Sequence, residues 1–165
     1  MILLGIDPGT TESGWCVYDS DEKSVLNKGK MDNHCFRNYL GLITRDEVDV
    51  IVYEMVACYG MSVGKDVFET VLWLGRFIET AKRFKIERLY RKDVKIALCG
   101  SMRAKDANIR QAIIDRFQAS GGGKTPQIGT KKNPGPLYGM SGDMWSALAL
   151  CIAYDVSVLE WREEE

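Results

Sequence analysis

The chain has 165 residues, 45% hydrophobic and 10% aromatic, which suits one globular domain with an ordinary core and excludes a largely disordered protein. No apolar run approaches the roughly 20 residues needed to span a bilayer, and the N-terminus lacks a signal peptide's basic flank and cleavage site, so a cytoplasmic protein with no membrane partner is expected. The net charge of −1 is near neutral, and five cysteines without a C-x-x-C pair exclude a zinc ribbon or disulfide framework and read as reduced core thiols.

Leu3 to Asp7, Gly14 to Tyr18 and Ser24 to Lys30 read as three short strands joined by turn clusters, an order that suits antiparallel hairpins. Helical spacing follows at Phe36, Tyr39, Leu40 and Ile43, and Val48 to Tyr53 is a buried strand running straight into Glu54. From Lys65 to Phe84, the apolar set Phe68, Val71, Leu72, Gly75, Ile78 and Ala81 marks a long amphipathic helix. Ile86 to Tyr90 is a fifth strand. A short segment at Asp93 to Leu98 precedes a helix over Ala104 to Phe117. Residues 119–141, rich in Gly and Pro, form a long flexible loop within the single domain, and a buried helix from Asp143 to Leu159 closes the chain. The order predicts an α/β domain with a mixed five-stranded sheet, three strands antiparallel and then parallel ones, flanked by helices.

The run Ile2-Leu3-Leu4-Gly5-Ile6 carries the chain into Asp7, which Pro8-Gly9 follows at once. Asp7 is either a turn aspartate bonding its own backbone or a ligand at the end of a strand. If the first strand lies beside the fourth, Asp7 and Glu54 become neighbours, and the start of the last helix delivers Asp143 to the same edge. Three converging carboxylates would repel one another, and a cation resolves the conflict. Oxygen ligands without His or Cys suit Mg²⁺ or Mn²⁺, and two such ions can drive in-line phosphodiester hydrolysis. Lys82 to Lys105 holds nine basic residues against two acids, so this half of the chain is either a polyanion-binding surface or a solvated face.

Gly5-Ile6-Asp7-Pro8-Gly9 with Gly14 downstream, Tyr53-Glu54, Val94-Lys95 through Gly100 to Ala104-Lys105, and Asp143 ahead of Ser146-Ala147-Leu148-Ala149-Leu150 resemble, in this order, the RuvC-type Holliday junction resolvases. The resemblance implies a ribonuclease-H-like fold, a homodimer, and cleavage of paired strands of four-way or other branched DNA with Mg²⁺ or Mn²⁺, two ions per site. By the same resemblance Asp7 bridges both ions, Glu54 binds one, Asp143 completes the set, and Lys95 and Lys105 face the scissile phosphate. No nucleotide cofactor is implied.

Two positions depart from the family pattern. Ser146 stands one helical turn after Asp143, where the family usually has an acid, so Asp106 or Asp115 compensates, or phosphate and water do; a non-catalytic branched-DNA-binding protein is the alternative reading. Ala57 occupies a position where an aromatic is common, which leaves Tyr59 to meet unstacked bases or to pack on its own loop. Arg91, Lys92, Arg103, Lys131 and Lys132 are the expected phosphate contacts. Gly123-Lys124-Thr125 is not a P-loop, because the motif's first glycine falls on Gln118. His34, the single histidine, has no partner at metal-ligand spacing and reads as a helix-entry residue.

Overall fold

The computed structural model describes residues 1–58, 60 and 62–163, with side chains through residue 157. The elements run β1 (Ile2–Asp7), β2 (Glu12–Asp19), β3 (Ser24–Asp32), α1 (Asn33–Leu42), β4 (Val50–Met55), α2 (Lys65–Thr80), β5 (Lys85–Tyr90), α3 (Arg91–Cys99), α4 (Asp106–Ile114) and α5 (Asp143–Glu163). The sheet order is β3-β2-β1-β4-β5. β1 to β3 pair antiparallel, while β1 with β4 and β4 with β5 pair parallel, which is the expected mixed sheet.

β1 is central and buried on both faces, which explains why it reads as a near-continuous apolar run. Its side chains alternate between two cores. Leu4 and Ile6 join Trp15, Val17, Phe36 and Phe77 on the α1/α2 face. Leu3 joins Cys16, Val52, Val94, Ile113 and Leu148 under α3, α4 and α5. On the first face the Phe36 and Phe77 rings meet edge to face with centroids 5.1 Å apart; truncating either to alanine should cost about 3–5 kcal/mol. α5 lies directly on β1: a Cβ at Gly5 would stand 2.0 Å from the Ala147 carbonyl oxygen.

Local chemistry fixes several helix ends. The Asp32 carboxylate caps α1 by accepting from the backbone N–H groups of His34 and Cys35. The backbone N–H of Tyr90 donates to Asp93 at 2.9 Å at the start of α3, and Gly100 ends that helix at φ 65°, where a side chain would be strained. The expected short segment at 93–98 is therefore a full helix. The helix expected over 104–117 is shorter, with Ala104 and Phe117 outside it but buried. β4 continues through Met55, so Glu54 lies within the strand and not beyond its end.

The facing of α2 bears out a packing role for Trp73 and Phe77 but differs from the sequence reading at Phe68, Val71 and Leu72. Thr70, Trp73, Leu74, Phe77 and the following Ala81 are buried. Phe68, Val71 and Leu72 are exposed, at 66%, 39% and 51%. The helix carries two apolar stripes, and the bulk of Trp73 and Phe77 decides which one meets the sheet.

The 119–141 segment is irregular, yet it bonds to itself. Gly121 N–H donates to the Pro126 carbonyl, Gly122 and Thr130 N–H both donate to Asn133, and Gly135 N–H donates to Ile128. Fully buried Leu137 anchors it in the core under α5. Of the five thiols, Cys16 and Cys151 are buried, Cys58 and Cys99 are half-buried, and Cys35 is exposed, so the core-thiol expectation holds for two. Among the described residues, no helix is long and apolar enough to cross a membrane.

Candidate active site

The sheet itself assembles the acidic edge. Asp7 closes β1 opposite Gly14 of β2. Ile6 pairs with Tyr53 in the parallel ladder, which puts Glu54 next to Asp7 on the other side. Gly14 admits the third acid: a Cβ there would stand 2.5 Å from the Asp143 Cβ, so a side chain at this position would collide with the first turn of α5. Asp7 thus sits between Glu54 and Asp143.

Its carboxyl group responds to that position. Burial, then the charges of Glu54 and Asp143, push the Asp7 pKa up to about 7, against a hydrogen bond from Ser146 and the positive charge of Arg91. Glu54 is raised as well, first by burial, with Arg91 opposing the rise.

The two outer acids are each met by a protein cation. Lys30 Nζ of β3 lies 2.8 Å from Asp143 Oδ2 and 3.8 Å from Glu12. Arg91, the first residue of α3, places Nη1 3.5 Å from Glu54 Oε2 and Nη2 2.5 Å from Asp106 Oδ1. Among the described residues no three acid, histidine or cysteine side chains close around one point as metal ligands would. The expected convergence is therefore one of position and not of carboxylate oxygens. Like charges at this edge separate toward Arg91 and Lys30, and Asp7 between them takes up a proton near neutrality.

The donor set still fits a hard divalent cation. It is oxygen-only, it is backed by a half-buried carboxyl whose charge is unfavourable without a cation, and it opens to solvent on two sides. A cavity of about 350 Å³ is lined by Asp7, Glu54, Ala57, Asp66, Thr70 and Arg91. A second, of about 510 Å³, is lined by Arg91, Asp106, Arg110, Asp143, Trp145 and Ser146. Arg91 borders both.

No protein-family model and no curated protein matches the sequence. Among solved structures, the Thermus thermophilus RuvC structure superposes with a TM-score of 0.71 at 16% identity, over 97% of this chain and 96% of that one. A structure of T. thermophilus RuvC in complex with Holliday junction substrate gives a TM-score of 0.70 at 14% identity, with the same coverage. The chain has the RuvC fold.

On this RuvC-like scaffold the remaining residues fall into two groups. Lys95 lies one turn beyond Arg91 on α3 and is half-buried, and exposed Lys105 immediately precedes Asp106. The Arg91 to Asp106 pair thus ties together the starts of the two helices that carry these lysines. Among the described residues neither lysine forms an ion pair with the acids. Lys92, Arg103, Lys131 and Lys132 are exposed, with Lys92 Nζ 5.8 Å from the Tyr90 ring centroid. Arg91 differs from the other expected phosphate contacts in facing the acids. Asp106 reaches the edge through Arg91, whereas Asp115 caps the far end of α4 beside Gln111. Tyr59 lies outside the described residues.

Lys30, and the pairing of Arg91 with Glu54, were missed by sequence reading. The signal for Lys30 lies in the register, since Asp7, Gly14 and Lys30 align straight across three antiparallel strands. His34 is exposed at the entry of α1, as expected, and packs edge-on to Trp73.

Proposed function

We propose that the protein is a divalent-metal-dependent endonuclease that resolves four-way DNA junctions or other branched DNA. The observation that carries this reading is the placement of Asp7, half-buried between Glu54 and Asp143, where its carboxyl is raised to about 7. The RuvC fold and the Holliday junction bound to one structural neighbour support the choice of substrate.

Asp7, Glu54 and Asp143 would hold Mg²⁺ or Mn²⁺, two ions in the full form of the site. The metal would supply an activated water and stabilise the leaving oxygen of the phosphodiester. The chain's own residues do the rest. Ser146 hydrogen-bonds Asp7 and orients its carboxylate, while Lys95 and Lys105 face the scissile phosphate and offset the charge that grows in the pentacovalent transition state. Lys92, Arg103, Lys131 and Lys132 hold the DNA backbone without reading sequence, and Tyr59 is the candidate to meet unstacked bases.

Symmetric cutting of two opposed strands calls for two sites on a two-fold axis, so the active species is a homodimer. The exposed stripe Phe68, Val71 and Leu72 on α2, with Gly75 one turn further, is the surface suited to a second copy.

Mg²⁺- or Mn²⁺-dependent nicking of a synthetic four-way junction, beside forks and linear duplex, tests the proposal. Wild type should cleave the junction in preference to the duplex, and Asp7→Asn should bind it equally and leave it intact. Ser146 in place of an acid favours a second reading, a junction-binding protein without catalysis. Binding by wild type with no cleavage in either metal would decide for that reading.

A further inference from the structure

Arg91 is held asymmetrically. On the outer side Nη2 lies 2.5 Å from Asp106, whose side chain is 82% exposed. On the inner side Nη1 stands 3.5 Å from Glu54, whose side chain is only 21% exposed. Nη1 is itself shielded from solvent and makes no hydrogen bond. The guanidinium thus compensates Glu54 through its charge without the short paired hydrogen bonds that would lock it there. It also lines both cavities, so open space adjoins it on either side.

A divalent ion on Asp7 and Glu54 and the guanidinium on Glu54 are mutually exclusive neighbours, because two cations sharing one half-buried carboxylate repel. We propose that Arg91 is a displaceable counter-ion which competes with the divalent cation for Glu54, and that Asp106 is the position to which it withdraws when the ion binds. On the Asp106 side Arg91 already borders the cavity of Asp143 and Ser146, where the fourth acid is missing and where Arg110 adds a second guanidinium over the Trp145 ring at 4.7 Å. There it can meet a phosphate oxygen. Asp106, the residue nearest to compensating for Ser146, acts in this scheme on Arg91 and not on the metal. The inference rests on the divalent-metal reading of Asp7 and Glu54.

The test is Mn²⁺ binding without DNA, followed by calorimetry, for wild type, Arg91→Gln, Arg91→Lys, Asp106→Asn and the double variant Arg91→Gln/Asp106→Asn, with far-UV spectra to verify folding. Arg91→Gln should bind Mn²⁺ more tightly than wild type, on the order of ten-fold, with Arg91→Lys between them. Asp106→Asn should bind several-fold more weakly, since it leaves Arg91 with Glu54 as its remaining partner. In the double variant the Asp106 effect should vanish, a non-additivity that a direct metal ligand would not show. Unchanged or weaker binding by Arg91→Gln and Arg91→Lys would overturn the proposal, as would an Asp106→Asn loss that persists without Arg91. The metal reading fails separately if Mn²⁺ binding is absent in wild type or survives Asp7→Asn, and this inference falls with it.

Discussion

Lys30 Nζ lies 2.8 Å from the Asp143 carboxylate, and the two residues come from elements more than a hundred positions apart in sequence. The contact follows from register: Lys30 pairs with Gly14, Gly14 pairs with Asp7, and the missing side chain of Gly14 lets Asp143 settle over the same line. Lys30 is exposed, so Lys30→Gln should leave the melting temperature unchanged. Its positive charge near Asp7 favours the ionised form of that carboxyl, and removing it should move the pH midpoint of Mn²⁺ binding upward by about a few tenths of a unit. A titration of metal binding against pH checks this; a downward shift would contradict it.

Asp7 gives the metal-free protein a particular pH profile. Its pKa is about 7 in the fold against 3.8 as the ordinary value, so between these limits the folded state holds a proton that the unfolded state has lost. Stability therefore falls as pH rises from about 4 to about 7 and levels off above, by up to about 4 kcal/mol at ~1.4 kcal/mol per unit. Glu54, also raised, adds to the same slope. Asp7→Asn should flatten most of this slope and raise metal-free stability at pH 8, while abolishing cleavage. Urea melts at pH 5 and pH 8 without metal are the measurement. In the other direction, the affinity of wild type for Mn²⁺ should rise as the pH is raised toward 7 and Asp7 ionises.

Two glycines separate stability from site geometry. A Cβ at Gly5 would stand 2.0 Å from the Ala147 carbonyl and 2.8 Å from Cys151 Sγ, deep between β1 and α5. Gly5→Ala must push the helix off the sheet and should cost about 1–3 kcal/mol or more. Gly14→Ala meets the backbone and Cβ of Asp143 at the helix start, where movement disturbs less of the core. It should weaken metal binding more than it lowers the urea midpoint, the reverse of Gly5→Ala.

The strands and their pairing were legible because a central strand buried on both faces leaves a run such as Ile2 to Ile6, and short turns dictate hairpins. The placement of Asp7, Glu54 and Asp143 on one edge followed from that topology. The splaying of their side chains did not, because it depends on Arg91 and Lys30, whose directions are set by register and helix start. The inversion of α2 was hidden for another reason. Both of its faces are apolar, and periodicity alone does not say whether Trp73 or Leu72 faces the sheet.

The exposed α2 stripe makes a direct prediction. Leu72 is 51% exposed and Val71 39% exposed, so Leu72→Glu adds a charge without opening a cavity. It should leave the melting temperature of the monomer nearly unchanged and convert a homodimer to monomers in sedimentation. Junction cleavage should then pass from coupled cuts to independent nicks, visible as accumulation of singly nicked product in a plasmid-borne junction. A dimer unaffected by Leu72→Glu and Phe68→Glu would place the interface elsewhere.

Ser146 is where the site can be completed. It lies one turn beyond Asp143 on α5, borders the same cavity, and hydrogen-bonds Asp7. Ser146→Asp replaces that donor with a like charge, so the Asp7 carboxyl should be pushed further up and the metal-free protein should lose about 1–3 kcal/mol at pH 8. Divalent cation should reverse the loss, since the added carboxylate is a hard oxygen ligand in reach of the same edge. Affinity gained on the order of ten-fold translates into about 1.4 kcal/mol of extra stabilisation at saturating Mg²⁺. Ser146→Ala is the control: it also removes the hydrogen bond to Asp7 but supplies no ligand, and it should lose stability without gaining a response to Mg²⁺. Thermal melts of the three proteins across a Mg²⁺ series separate the cases, and nicking of the four-way junction at limiting Mg²⁺ should follow the same order, with Ser146→Asp fastest. If Mg²⁺ stabilises Ser146→Asp no more than wild type, this turn of α5 does not face the ion, and the Asp143 side of the edge works through phosphate contacts alone.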